Sequence, residues 1–209
     1  MEGKITVVGT GPGHPDFLTP AGAAAIADAT VVLGGRRLLE SFAHAHQQQF
    51  VVDKDLKGAV EFIEQNYRQH RLTVLVSGDT GIYSLASYLA RWFSPETLNF
   101  IPGVSSVQLM FARLKKPWQK ASIISLHGRP PQGLAQLIKG GNMVAVLTDN
   151  RYTPCEIASY LVQKGCPDCH VAVGTNLSYD NEKVITSSLR TLASAGNDPT
   201  PAVVVIDNE

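Results

Sequence analysis

Ile5-Thr-Val-Val-Gly-Thr-Gly-Pro-Gly-His-Pro-Asp-Phe-Leu-Thr-Pro20 runs from a short apolar segment through a glycine- and proline-rich loop to the start of a helix. Strand, glycine loop and helix in that order invite a dinucleotide-binding reading, but the fingerprint fails twice. Its third glycine would fall at position 14, which is His14. It also needs a helix that opens inside the loop and turns its N-terminus on a pyrophosphate. Here Pro12 and Pro15 are expected to hold the chain extended, so that the helix begins only near Pro20. Two readings stay open at this point: a turn of no special function, or a rigid loop whose missing side chains leave room for a bulky ligand.

The same alternation continues outward from this stretch. Ile5 to Val8, Val31 to Leu33, Leu72 to Val76, Leu98 to Ile101, Ser122 to Leu126, Val144 to Leu147, Val171 to Val173 and Ala202 to Ile206 are short and rich in Val and Ile. Most lack polar alternation and predict strands covered on both faces. Between them, Leu56, Val60, Ile63 and Tyr67 fall at helical spacing, as do Leu85, Leu89 and Trp92. Thr153-Pro154 with Glu156 makes a T-x-x-E capping box, and Thr19-Pro20 is a weaker start of the same kind. The pattern predicts an α/β protein built on largely parallel sheets. A helical stretch from Ser106 to Leu114 ends at Lys115-Lys116-Pro117-Trp118, which predicts two small α/β domains, residues 1–116 and 117–209.

Composition narrows the function classes. The 209 residues are 44% hydrophobic and 17% charged, the balance of an ordinary globular chain. Eighteen basic against 18 acidic residues give no net charge, which argues against nucleic-acid binding through a broad positive surface. No apolar run approaches the roughly 20 residues that span a bilayer. Met1-Glu2-Gly3-Lys4 does not read as a signal peptide, so no membrane partner and a cytoplasmic location are expected. Cys155, Cys166 and Cys169 form no disulfide framework. Cys166 and Cys169 make a CxxC beside His170, but a closed zinc site needs further ligands, and there is no second CxxC or spaced His pair. Loop thiols without a metal are expected.

Ligands of α/β sheets sit beyond the carboxyl ends of the strands, and three more loops there stand out. In Ser77-Gly-Asp-Thr-Gly-Ile-Tyr-Ser84, glycines expose backbone around Asp79, which either accepts from a ligand or caps a helix starting near Ile82. In Pro102-Gly-Val-Ser-Ser-Val-Gln108, Ser105 and Ser106 offer hydroxyls at a helix start, either as a cap or as a site for a carboxylate. In Ser125-Leu-His-Gly-Arg129, His127 and Arg129 stand on a loop as candidate substrate contacts, with a structural histidine equally open. There is no G-x-S-x-G elbow, Walker lysine, H-E-x-x-H or EF-hand, which points to catalysis by positioning a bound cofactor.

In order and spacing these loops resemble the tetrapyrrole methylase family, with its opening GxGPGxxxxLT at Gly9 to Thr19, then GD-x-x-x-YS and PG-x-SS. Pro102 to Trp118, Ser125 to Arg129 and Leu147-Thr-Asp-Asn-Arg151 are similar to the members that methylate carbon 5 of a (cobalt-)precorrin in cobalamin biosynthesis. The resemblance implies two α/β domains with S-adenosylmethionine in a cleft between them, and a homodimer. It implies that Gly78, Asp79, Ile82 and Tyr83 lie along the cofactor with Ser105 and Ser106 nearby, and that Asn176-Leu177-Ser178 and Pro201-Ala202-Val203 close the site. Pro12, Gly13 and His14 would then face the tetrapyrrole. Thr80 and Thr175 depart from the family pattern, where proline and glutamate are common. Relatives that also decarboxylate carry a further C-terminal domain. With this sequence stopping at Glu209, one methylation is expected, and a separate C(15)-methyltransferase/decarboxylase protein is an expected partner.

On this reading the macrocycle is the nucleophile, and His127 or Asp16 is expected to assist a proton. Arg113, Lys116, Lys120, Arg129 and Arg151 are candidates to meet its carboxylates, Arg129 foremost, while Lys116 and Lys120 are expected to be solvated surface charges. The rivals are a superfamily member with another ring position or substrate, a nicotinamide oxidoreductase, and a corrinoid carrier with His14 or His127 as axial ligand. Gly34-Gly35-Arg36 at the second strand end, with no acidic residue, disfavours the oxidoreductase.

Overall fold

The computed structural model describes residues 4–196 and 201–208. Met1, Glu2 and Gly3, read above for a leader, and the terminal Glu209 lie outside the described residues. The chain divides into two compact units, Met1–Ser105 and Ser106–Glu209. The division falls ahead of the Ser106–Leu114 helix, whereas the sequence pattern sets it after that helix. Packing explains the difference: the helix sends Met110 against Gly174 and pairs Arg113 with Glu182, both in the second unit.

The first unit runs β1 (Ile5–Gly9), α1 (Pro20–Asp28), β2 (Val31–Gly34), α2 (Arg36–Phe42), β3 (Gln48–Val51), α3 (Leu56–Asn66), β4 (Leu72–Val76), α4 (Leu85–Leu89) and β5 (Leu98–Ile101). Its sheet has the order β3-β2-β4-β1-β5, and all its pairs are parallel. Period-2 alternation of the strands feeds two cores. Ile5, Val7, Val31, Leu33, Leu72 and Val74 pack with Val60 and Ile63 of α3 and Leu89 of α4. Val8, Val32 and Leu75 pack on the other face with Ile26 of α1 and Leu38 and Leu39 of α2. That double coverage is why these strands lack polar alternation. The chain leaves β1 toward β2 and leaves the adjacent β4 in the opposite direction, toward β5.

The second unit runs α5 (Ser106–Leu114), β6 (Ser122–Ser125), α6 (Leu134–Lys139), β7 (Val144–Leu147), α7 (Pro154–Gln163), β8 (His170–Thr175), β9 (Lys183–Ser188), α8 (Leu189–Ala193) and β10 (Ala202–Asp207). Its strand order is β6-β7-β10-β8-β9. Parallel pairing, expected of both sheets, holds here only for β6 and β7, because β10 enters antiparallel to β7 and β8, and β9 antiparallel to β8. Val144, Val146, Val171, Val173 and Val204 build one core with α6, α7 and α8. Both threonines act as N-caps: Thr153 accepts from Glu156 N at 3.2 Å, the first half of the expected capping box, and Thr19 from Gly22 N at 3.1 Å.

All eight apolar runs form strands, and two strands carried no such signal. β3 and β9 lie at sheet edges and are largely exposed, so their polar sequences, Gln48-Gln-Phe-Val51 and Lys183-Val-Ile-Thr-Ser-Ser188, have no run to detect.

Candidate functional site

In the first unit the loops after β1, β4 and β5 meet backbone to backbone. Thr10, fully buried, donates to Val76 O through both its N–H (2.9 Å) and its hydroxyl (3.0 Å). Gly11 and Gly78 then exchange two hydrogen bonds of 3.2 and 2.8 Å, with φ of +82° and +69°. A Cβ on Gly9 would stand 2.7 Å from Gly103 N and Gly78 O, and one on Gly103 would stand 2.4 Å from Gly78 O and Gly9 O. The glycines at 9, 78 and 103 therefore make room for one another. This changes the reading of the opening loop: Gly9 and Gly11 face protein backbone, Gly11 lying against Phe17. Pro15–Phe17 is also a short 3-10 turn and not extended, although α1 does begin at Pro20.

Asp79 joins two of these loops. Its Oδ1 accepts from Gly81 N at 2.8 Å and its Oδ2 from Gly103 N at 3.2 Å. It is not a helix cap. α4 starts at Leu85, later than expected, and Ser84 caps it by accepting from Ala86 N at 3.1 Å. A Cβ on Gly81 would meet only Asp79 Oδ1, at 3.1 Å, and Tyr83, at φ +47°, is 48% exposed. An exposed aromatic held in the left-handed region is strain that solvent contact alone does not explain. Ile82 is half-buried beside it, Ser105 is buried near Gly78, and Ser106 opens α5.

Pro12 and His14 are half-buried, Gly13 is buried, and Asp16 is exposed. His14 Nδ1 accepts from Asp16 N at 3.3 Å and lies 3.5 Å from the Asp16 carboxylate.

In the second unit, every backbone N–H from Leu126 to Arg129 is committed. Leu126 donates to Leu147 O (2.9 Å), His127 to Ser125 Oγ (3.4 Å), Gly128 to Asp149 Oδ2 (3.0 Å) and Arg129 to Leu126 O (3.1 Å). His127, Arg129 and Arg151 carry exposed side chains on this edge, and the Arg151 guanidinium lies 5.4 Å from the Tyr152 ring centroid. Asp149 Oδ1 also accepts from Arg151 N (2.9 Å) and Tyr152 N (2.8 Å). These amides, that of Gly128 foremost, hold the Asp149 carboxyl below the usual carboxylate range.

The turn after β8 is strained: Asn176 sits at φ +49° and Ser178 at +80°. Glu182 ties it down, its Oε2 accepting from Ser178 N at 2.8 Å. The Arg113 guanidinium grips the same carboxylate at 2.5 and 3.3 Å, pulling the Glu182 pKa down and its own up. Leu177 is buried over Gly174, where a side chain would meet Met110. Ala202 is fixed by buried Thr148, whose hydroxyl accepts from Ala202 N (2.8 Å) and donates to Ala202 O (3.0 Å). Since β10 runs antiparallel to β7 and β8, Ala202 pairs with Thr175 at the carboxyl end of β8. Asn176, Leu177, Ala202, His127, Arg129 and Arg151 thus lie at one end of the second sheet, at the carboxyl ends of β6, β7 and β8.

Two expected cations are otherwise engaged. Arg113 is bound to Glu182, and Lys116, expected to be solvated, pairs with Asp207, a buried residue. Cys166 and Cys169 are free and buried, and burial raises both thiols. Among the described residues no three His, Cys, Asp or Glu side chains group as metal ligands, and no helix is long and apolar enough to cross a membrane.

Residues 4–193 match the family of Tetrapyrrole (Corrin/Porphyrin) Methylases. The chain belongs to that family. It is 32% identical over 196 residues to the probable cobalt-precorrin-7 C(5)-methyltransferase of Methanocaldococcus jannaschii, covering 91% of this chain and 92% of the relative. It is 32% identical over 180 residues to the cobalt-precorrin-7 C(5)-methyltransferase of Salmonella typhimurium, covering 86% and 88%. Among solved structures, the precorrin-6Y methylase of Archaeoglobus fulgidus superposes with a TM-score of 0.75 at 22% identity, covering 99% of this chain and 98% of that one. A cobalt precorrin-4 methyltransferase superposes with a TM-score of 0.82 at 18% identity, covering 98% and 94%.

In this methylase the sequence named loops at strand ends but not the side chains that scaffold them. Asp149, Thr148 and Glu182 went unnoticed as organising residues. For Asp149 a signal existed: a carboxylate directly past a strand, followed by residues whose N–H groups turn back on it, is an Asx turn. Glu182 had none, because its partner Arg113 is 69 residues away in sequence.

Proposed function

We propose that this chain transfers a methyl group from S-adenosylmethionine to carbon 5 of a (cobalt-)precorrin, as a cytoplasmic homodimeric enzyme of cobalamin biosynthesis. The 32% identity to the Methanocaldococcus jannaschii relative, over nearly the full length of both chains, carries this reading.

The donor set suits an S-adenosyl ligand. The β4 loop offers the backbone of Gly81, the half-buried Ile82 and the exposed ring of Tyr83, beside the buried Ser105 hydroxyl. In the second unit, Ser106 opens the first turn of α5, whose amides suit a carboxylate, and Asn176 is exposed beside the buried Leu177. When bound, the sulfonium supplies an activated methyl group and a neutral leaving group.

The residues' own task is then orientation and exclusion of water. Asp79 fixes the β4 loop against Gly103, so that Gly78 to Tyr83 present one conformation. Pro12, Gly13 and His14 line the macrocycle's side, and the Arg129 and Arg151 guanidinium groups meet its carboxylates. A ring nitrogen of His127 or the Asp16 carboxylate takes the proton that ring chemistry requires to move. A separate protein is proposed for carbon 15, since this chain matches 44% of the Sinorhizobium enzyme named as C(5,15)-methylating and decarboxylating.

Incubation with a cobalt-containing precorrin and S-adenosylmethionine carrying a carbon-13 methyl tests the proposal. NMR is expected to find the label on carbon 5. Label elsewhere on the ring identifies a different specificity, and no transfer defeats the proposal.

A further inference from the structure

We infer that Asp149 is a positioning residue for tetrapyrrole recognition, acting through the backbone of the β6 and β7 loops and not by touching the substrate. This role rests on the function proposed above. Of the four successive amides from Leu126 to Arg129, two bond to backbone carbonyls and one to the neighbouring hydroxyl of Ser125. The fourth, that of Gly128, is held by Asp149, a side chain from the adjacent strand's loop. Gly128 sits at φ +67° with nothing within 4 Å of a Cβ position, so nothing packs where a side chain would stand. The Asp149 carboxylate bridges the loop that carries His127 and Arg129 and the loop that carries Arg151.

The arrangement has a physical consequence. Arg129 and Arg151 have long, exposed side chains, and binding a carboxylate with them costs rotamer freedom. Fixing both backbones in one frame removes the main-chain part of that cost. The same amides, that of Gly128 foremost, hold the Asp149 carboxyl below the usual carboxylate range, so the acceptor stays charged to more acidic pH than an ordinary aspartate.

Asp168 supplies a matched control. At the opposite end of the same sheet its Oδ1 accepts from Arg190 N at 2.9 Å, and backbone bonding lowers its pKa in the same way. Asp149→Ala, Asp149→Asn and Asp168→Ala are compared by amide exchange, by calorimetry with S-adenosylmethionine, and by kinetics with a cobalt-containing precorrin. Asp149→Asn keeps an oxygen for Arg151 and Tyr152 and serves if the alanine variant fails to fold. The expected result is faster exchange at Gly128 and a precorrin KM raised about tenfold, with S-adenosylmethionine affinity near wild type. Asp168→Ala is expected to leave KM unchanged.

Unchanged Gly128 exchange, an unchanged precorrin KM, or equal loss of both ligands overturns the role. So does the same KM rise in Asp168→Ala. A wild-type chain that methylates no precorrin removes the function and this role together. Precorrin turnover with an indifferent Asp149 removes the role alone.

Discussion

Asp79 on the β4 loop accepts the amide of Gly103 on the β5 loop at 3.2 Å, spanning the strand β1 that separates them in the sheet. The contact is possible only because Gly9 at the end of β1 has no side chain: a Cβ there would stand 2.7 Å from both Gly103 N and Gly78 O. Three loops of the first unit are thus locked by three glycines and one carboxylate.

Gly103→Ala is expected to be among the more damaging small substitutions in the first unit. Its methyl would meet two backbone carbonyl oxygens at 2.4 Å, and neither belongs to a flexible side chain. Forced overpacking of this kind costs about 3 kcal/mol or more. Gly128→Ala is the comparison: its methyl enters open space, and only the left-handed backbone is penalised, by roughly 1–2 kcal/mol. Urea denaturation followed by circular dichroism ranks them, and a Gly103→Ala midpoint no lower than that of Gly128→Ala refutes the backbone-contact account.

Asp79→Ala is expected to weaken S-adenosylmethionine binding at least tenfold in calorimetry, a loss of about 1.4 kcal/mol. It frees both Gly81 N and Gly103 N, so the loop that carries Ile82 and Tyr83 loses its single frame. Affinity equal to wild type, in a folded variant, would show that Asp79 does not position that loop for the donor.

The strands that line the three cores were legible because burial on two faces writes continuous Val and Ile runs into the sequence, as in Leu72–Val76. Edge strands such as β9 bury little and left no such trace. Direction within the second sheet was illegible for another reason: nothing local to Ala202–Asp207 tells whether it inserts parallel or antiparallel between β7 and β8. The site divides along the same line. Loop positions follow from strand ends and could be named, whereas Glu182 and Thr148 act through partners 69 and 54 residues distant.

Glu182 should make part of the fold's stability acid-sensitive. Its pKa is depressed in the folded state, first by the Arg113 guanidinium and also by Ser178 N–H. Stability from this source is therefore complete above the unfolded glutamate value of about 4.3 and is lost as pH falls through the lower folded value. Glu182→Gln is expected to cost roughly 2 kcal/mol at pH 7, the scale of a lost charge-assisted bond, with the gap to wild type narrowing as pH falls below the unfolded glutamate value. Thermal melts from pH 3 to 7 read this directly, and a constant gap across that range contradicts the linkage.

The cysteine pair should be chemically quiet. Cys166 and Cys169 are buried, and desolvation raises both thiols, so little thiolate exists at neutral pH. In the native protein at pH 7, a disulfide reagent is expected to modify both slowly, with full reaction only after denaturation. Rapid native labelling, or zinc retained through dialysis against a weak chelator, would assign them a role that their burial does not support.

Arg129 and Arg151 should separate substrate from donor. Each emerges from a loop whose amides are committed, Arg129 beside the Gly128 clamp and Arg151 with its own N–H on Asp149. A guanidinium held this way recognises a carboxylate by paired donors, which lysine reproduces poorly. Arg129→Ala is expected to raise the precorrin KM about tenfold while leaving S-adenosylmethionine binding intact, and Arg129→Lys to recover only part of it. Full recovery by lysine would mean that charge alone matters there. Equal weakening of both ligands, or of neither, would remove Arg129 from the tetrapyrrole site and leave Arg151 to be tested in its place.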